Sequence, residues 1–144
     1  YGGKADVLKT VLYAMYHETS EVMTGDLPTP VKYYNRSIHG AYKQLEKSAC
    51  EKITDMLPEE LKKGIAPFVL ADEDSEEYRL VKAADRLSAY IKCLEELRSG
   101  NSEFLKAKKS IGADLRSRHM PEVEYFFENF IPSFSLTLDE LEGF

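Results

Sequence analysis

The sequence predicts an all-α protein. Apolar residues recur at helical spacing in almost every stretch between Gly, Pro and Ser/Asn breaks, and no stretch alternates apolar and polar as a half-buried strand does. No internal repeat or low-complexity segment interrupts that pattern.

The first helix is expected from about Ala5 to Met23. Leu8, Val11, Leu12 and Met15 repeat at i, i+3, i+4, i+7, which predicts a buried stripe. Extending that stripe brings Glu18 inward and then Val22, and a carboxylate there needs a cation or a proton to offset its desolvation. His17 and Glu21 project from the adjoining face, so one imidazole and two carboxylates leave a turn and a half of helix together. Gly25, Pro28 and Pro30 then break the helix.

A second helix is expected from about Pro30 or Asn35 to Met56, with Ile38, Tyr42, Leu45, Ala49 and Met56 on one face. Pro58 with Glu59 and Glu60 opens a third, reaching about Leu70, because Pro and acids suit a first turn. The acidic run from Ala71 to Glu77 reads as a loop and cap, with Asp74 or Ser75 at the N-cap, rather than a cation site. The next helix runs to about Leu97 on a stripe of Leu80, Ala84, Leu87, Ile91 and Leu94, and Ser99-Gly100-Asn101 closes it. Another spans Ser102 to about Arg118. Pro121 opens the last, whose Val123, Phe126, Phe127 and Phe130 are expected to dock on the bundle, and Pro132 ends it.

At 144 residues the chain is expected to form one domain with a proper core. It contains no apolar run long enough to span a membrane and no visible signal peptide, and a cytoplasmic location is expected. A formal charge of −6 with no basic face argues against a nucleic-acid polymer as partner, but not against a small phosphate ligand held beside a divalent metal. Cys50 and Cys93 lie in helical patterns without metal-type spacing and read as two reduced, partly buried thiols. The chain opens Tyr1-Gly2-Gly3, and an N-terminal segment is expected to precede it.

Two further features bear on chemistry. Asp85 sits at the edge of its helix stripe behind Ala83 and Ala84. That leaves two readings open: a site residue with room for a close approach, or a surface acid paired with Lys82 or Arg86. The loop from Thr24 to Pro30 is stiffened by Pro28 and Pro30 and can set Asp26 and Thr29 over the His17–Glu21 turn, or be only a helix stop. An imidazole with hard carboxylates suits manganese, magnesium or cobalt over soft-ligand metals. With positions left open for water and phosphate, such a centre suits a metal hydrolase, with Glu21 able to take or orient the water proton.

His17-Glu18, within Ala14-Met15-Tyr16-His17-Glu18-Thr19-Ser20-Glu21-Val22, resembles the His-Asp centre of the HD-domain metal phosphohydrolases. More narrowly, the chain resembles the bacterial 5′-deoxynucleotidases of that superfamily. The likeness runs through Thr24-Gly25-Asp26-Leu27-Pro28-Thr29-Pro30-Val31-Lys32-Tyr33, Met56 to Leu61, Leu80 to Asp85, Ala89 to Leu97 and Phe130 to Phe134. It covers essentially the whole chain in one register.

The resemblance implies an HD-domain helical bundle that removes phosphate from deoxyribonucleoside 5′-monophosphates by in-line attack of water. It implies metal ligation by His17, Glu18 and Asp85, assistance to the water by Glu21, and a nucleotide pocket lined by Asp26, Leu27, Pro28 and Thr29, with Glu18 and Asp85 also facing substrate. It implies a divalent metal, cobalt or manganese with magnesium possible, and a homodimer. The family pattern has Asp where this chain has Glu18; the added methylene displaces the carboxylate by about 1.5 Å, which predicts weakened or altered metal preference. The family's upstream helix, with another His ligand and a phosphate-facing Arg, is expected to lie before Tyr1. Alternative readings are a non-catalytic domain of the same ancestry that binds a nucleotide or protein partner, and an HD hydrolase of another phosphate ester.

Overall fold

The computed structural model describes residues 3–27, 35–137 and 140. Helix is the only regular structure among them, as expected: α1 (Val7–Tyr16), α2 (Glu21–Thr24), α3 (Arg36–Asp55), α4 (Glu59–Val69), α5 (Glu76–Arg98), a 3-10 turn at Ser102–Phe104, α6 (Leu105–Ser117), α7 (Pro121–Asn129) and a 3-10 turn at Ile131–Ser135. None of these helices is long and apolar enough to cross a membrane. The chain forms two compact units, Ala5–Val81 and a second built mainly from the residues after Val81.

In the first unit α1 packs on α4, α4 on α3, and α2 on α3. The helix expected from Ala5 to Met23 is two helices. Asp6 caps α1 by accepting the Lys9 amide at 3.0 Å, α1 ends at Tyr16, and the chain turns through His17–Ser20 before α2 begins. The stripe expected to be buried is exposed: Leu8, Val11 and Met15 are 69%, 50% and 67% accessible, and the buried residue of α1 is Tyr13. Tyr13 wins the inward position because its ring has two edge-on aromatic partners, Phe68 at 6.1 Å and Tyr78 at 6.0 Å between centroids, and its hydroxyl accepts the Asp72 amide. Lys9 meets Glu77 at 3.0 Å, and the same carboxylate accepts the Asp6 amide, tying the start of α1 to the first turn of α5.

Helix α3 buries Tyr42 and Ala49 as expected, but Ile38, Leu45 and Met56 face outward. Thr54 is buried in their stead, its hydroxyl donating to the Cys50 carbonyl at 2.6 Å and so carrying no unsatisfied group inward. Of the two caps considered for α5, Ser75 is used: its Oγ accepts the Tyr78 amide. Asp72 organises the acidic turn by accepting the Asp74 amide, and Glu73 pairs with Lys43.

In the second unit α6 contacts α7, and α7 continues into the last 3-10 turn. Leu115 and Val123 are almost wholly buried. The buried face of α5 is Val81, Ala83, Leu87, Tyr90 and Cys93, a stripe rotated about one residue from the expected one, which keeps Leu87 and exposes Ala84. Tyr90 meets Phe127 edge-on at 5.1 Å between centroids, and Arg116 lies 4.5 Å over the same Phe127 ring. Phe130, expected in the docked stripe, is half exposed and stacks on Phe126 instead. Asp114 gathers Arg86 at 3.1 Å and Arg118 at 3.0 Å. Both cysteines are free, Cys93 buried and Cys50 half-buried; burial raises both thiol pKa values, and keeps the thiols protonated.

Candidate metal centre

His17 is the C-cap residue of α1, the first residue of a turn whose amides bond back along the chain, Thr19 to Tyr16 and Glu21 to Glu18. Its Nδ1 lies 2.7 Å from the Ala14 carbonyl. A carbonyl only accepts, so Nδ1 carries the proton and Nε2 of the neutral ring is a lone pair. That Nε2 is buried and has no hydrogen-bond partner among the described residues. A buried nitrogen without a partner costs free energy unless something outside the protein binds it.

The Glu18 carboxylate stands beside it, Oε1 at 3.6 Å from Nε2, beyond hydrogen-bonding distance, with its side chain 60% exposed. Glu18 therefore does not interrupt a buried stripe. The chain has already left α1 when it reaches this residue, and its carboxylate is solvated. Glu21, half-buried, opens α2 and accepts the Gly25 amide at its carbonyl. His17, Glu18 and Glu21 do leave the chain within one short turn, as expected, though from a helix break rather than a continuous helix.

Beyond α2, Gly25 has φ 68° and ψ 166°, a combination that essentially only glycine adopts. It turns the chain toward Asp26, which is exposed, and Leu27, which is half-buried. Pro28 and Thr29, the other two residues expected to line the pocket, lie outside the described residues. Asp85 is exposed on α5 in the second unit, and among the described residues it makes no ion pair. Its neighbour Arg86 turns to Asp114, which removes one of the partners considered for a purely surface Asp85.

The donor chemistry of the turn fits a hard divalent cation: one imidazole nitrogen with its tautomer fixed by a backbone carbonyl, and a carboxylate oxygen from Glu18. The supports of the turn and of the Gly25 segment that follows it were not marked by periodicity or motif. Ser20 is buried, and its carbonyl takes the Met23 and Thr24 amides, while Tyr42 reaches across from α3 to the Gly25 carbonyl. Only the helix break that Gly25 announces could have pointed to them.

Comparison with known proteins places this turn in context. The family model described as 5′-deoxynucleotidase YfbR-like matches residues 1–134. A 5′-deoxynucleotidase of Vibrio cholerae serotype O1 is 50% identical over 142 residues, covering 98% of this chain and 73% of the relative. A 5′-deoxynucleotidase YfbR of Escherichia coli is 53% identical over 144 residues, covering 98% of this chain and 71% of the relative. One from Vibrio parahaemolyticus is 51% identical over the same share as the cholera protein. The chain belongs to the YfbR-like 5′-deoxynucleotidase family of HD-domain phosphohydrolases.

Proposed function

We infer that this protein is a metal-dependent phosphomonoesterase that removes the 5′-phosphate from deoxyribonucleoside 5′-monophosphates. Family membership supports the reaction class. The observation that carries the site is the buried Nε2 of His17, without a hydrogen-bond partner among the described residues and held as a lone pair by the Ala14 carbonyl behind the ring.

In this reading the chain is a single domain, and His17, Glu18 and Asp85 hold a single divalent cation, cobalt or manganese with magnesium the alternative. Such a cation supplies positive charge against the phosphate and Lewis acidity enough to bring the pKa of water from about 15.7 to about 7–9. The protein's own groups do the rest. Glu21, three residues after Glu18, takes or orients the proton of the attacking water. Asp26 and Leu27, with Pro28 and Thr29, hold the nucleoside so that phosphorus lies in line between the water and O5′. The P–O5′ bond breaks as the new P–O bond forms, and the 5′-hydroxyl takes up a proton, releasing nucleoside and inorganic phosphate. A cytoplasmic location accords with two free thiols. A homodimer is supported by the apolar α1 face, Val7, Leu8, Val11 and Met15, which a second copy would cover.

The test is phosphate release from deoxynucleoside monophosphates with manganese or cobalt, before and after chelation, in wild type and Asp85→Ala. Chelator-sensitive release, with both bound metal and activity reduced in Asp85→Ala, is expected. No release from any deoxynucleotide sinks the activity; unchanged metal content in the variant sinks the ligand set.

A further inference from the structure

We propose that Tyr42 is a positioning residue for the nucleotide loop, acting through the carbonyl of Gly25; the consequence for catalysis rests on the reading above. Tyr42 is buried on α3, far from Gly25 in sequence, and its hydroxyl donates to the Gly25 oxygen at 3.2 Å. The same oxygen lies 3.0 Å from Thr24 Oγ1, which also reaches the Ser20 carbonyl at 3.2 Å and stands 3.5 Å from the Tyr42 hydroxyl. Two hydroxyls thus converge on one carbonyl.

That carbonyl belongs to the residue whose backbone is least determined by its own chemistry. Glycine at φ 68° gains no steric preference from a side chain, and a Cβ there would meet nothing within 4 Å, so packing does not fix the peptide either. What fixes the peptide plane between Gly25 and Asp26 is the direction of the Gly25 carbonyl, and the hydroxyls of Tyr42 and Thr24 set it. Thr24 has one proton to share between two carbonyls, whereas Tyr42 comes from a separate helix and anchors the loop to the core. The Asp26 amide and side chain follow directly from that plane. The metal turn has hydrogen bonds of its own, along His17–Ser20 and from His17 to the Ala14 carbonyl, in which Tyr42 takes no part.

Tyr42→Phe removes one hydroxyl and keeps the ring. Loss of one such hydrogen bond predicts a KM for deoxynucleoside monophosphates raised about three- to tenfold, with kcat and bound metal close to wild type. Amide hydrogen exchange at Asp26 and Leu27 should accelerate, with exchange in α1 unchanged. A Tm near that of wild type would show that the fold is retained. Unchanged exchange at Asp26 overturns the proposal whether or not the protein is active, as does a fall in kcat with lost metal, which would place Tyr42 behind the metal turn. Accelerated exchange in a protein whose wild type releases no phosphate leaves the loop anchor standing and overturns the functional reading alone.

Discussion

The Nδ1 of His17 lies 2.7 Å from the carbonyl of Ala14, three residues back on α1, and this one contact decides which ring nitrogen can serve as a ligand. Proton and lone pair are distributed before any cation arrives, and the ring is oriented by backbone that would be there in any case. His17→Ala should therefore abolish tight metal binding, with affinity falling by more than the roughly 10–100-fold typical for loss of a supporting partner. The cost to the metal-free fold should be only about 1 kcal/mol, the Ala14 hydrogen bond, because Nε2 has no hydrogen-bond partner to lose among the described residues. Metal analysis of the purified variant and its denaturant midpoint in chelator check the two halves; a large loss of metal-free stability would make His17 a structural residue.

Glu18→Asp should strengthen metal binding. The Glu18 carboxylate reaches out from an exposed turn, its Oε1 3.6 Å from Nε2, and its longer stem has more rotamers to lose on binding. Shortening it by one methylene restores the acid of the family pattern and moves the oxygens by about 1.5 Å. Titration with manganese and cobalt should show affinity rising about tenfold for at least one of them and the preference between the two changing. Weaker binding of both would show that this turn has adapted to glutamate.

How far the fold and the site were legible depends on what each residue had to signal. Helix content was plain because Gly25 and Gly100 sit where helices stop and Pro58 and Pro121 where they start, and the motif residues His17, Glu18 and Glu21 were picked out by type and spacing. Inward faces were less legible. Leu8, Val11 and Met15 formed a good stripe, but tertiary contacts decide which stripe is buried, and Tyr13 has two aromatic partners and a hydrogen bond that no pattern in α1 reports. Likewise Tyr90 and Cys93 displaced the expected Ile91 and Leu94 because α5 is rotated to bring Tyr90 against Phe127 and Gly112. Glu18 was noticed on the premise of a continuous helix, which the break between Tyr16 and Glu21 removes. The hydroxyl of Tyr42 on the Gly25 carbonyl was illegible, since a core tyrosine does not say where its oxygen goes.

The Lys9–Glu77 pair predicts an acid-side loss of stability. Glu77 has its pKa lowered, first by the Lys9 side chain and then by the Asp6 amide, and Lys9 has its own raised by Glu77. A depressed carboxylate contributes stability above its unfolded value, about 4.3, and loses it as pH falls through the lower folded value. The raised lysine contributes below its unfolded value, about 10.4, and loses its share only as pH rises past that. Wild type should therefore exceed Glu77→Gln in urea midpoint near neutrality, and the gap should close between about pH 5 and pH 2. Added salt should narrow it. A gap independent of pH would mean that the amide of the glutamine variant, not the lost charge, is responsible.

Gly112→Ala sets two effects of similar size against each other. Alanine within α6 gains about 1 kcal/mol of helix propensity over glycine. The new Cβ, however, would stand 3.1 Å from Cε2 of Tyr90, a ring that is itself buried and held edge-on by Phe127. Overpacking of this kind costs about 1–3 kcal/mol, and a buried ring already packed against Phe127 has little room to yield. The overpacking should win, giving a net loss of about 1 kcal/mol in denaturant unfolding. Because Gly112 lies in α6, metal content and KM should not move with it. Tyr90→Leu, which removes the obstructing ring edge, should then let alanine at 112 recover its propensity gain, so that the double variant is more stable than Tyr90→Leu alone. An alanine that stabilises the otherwise unaltered protein would show that Tyr90 shifts freely and that glycine at 112 answers to something other than that ring.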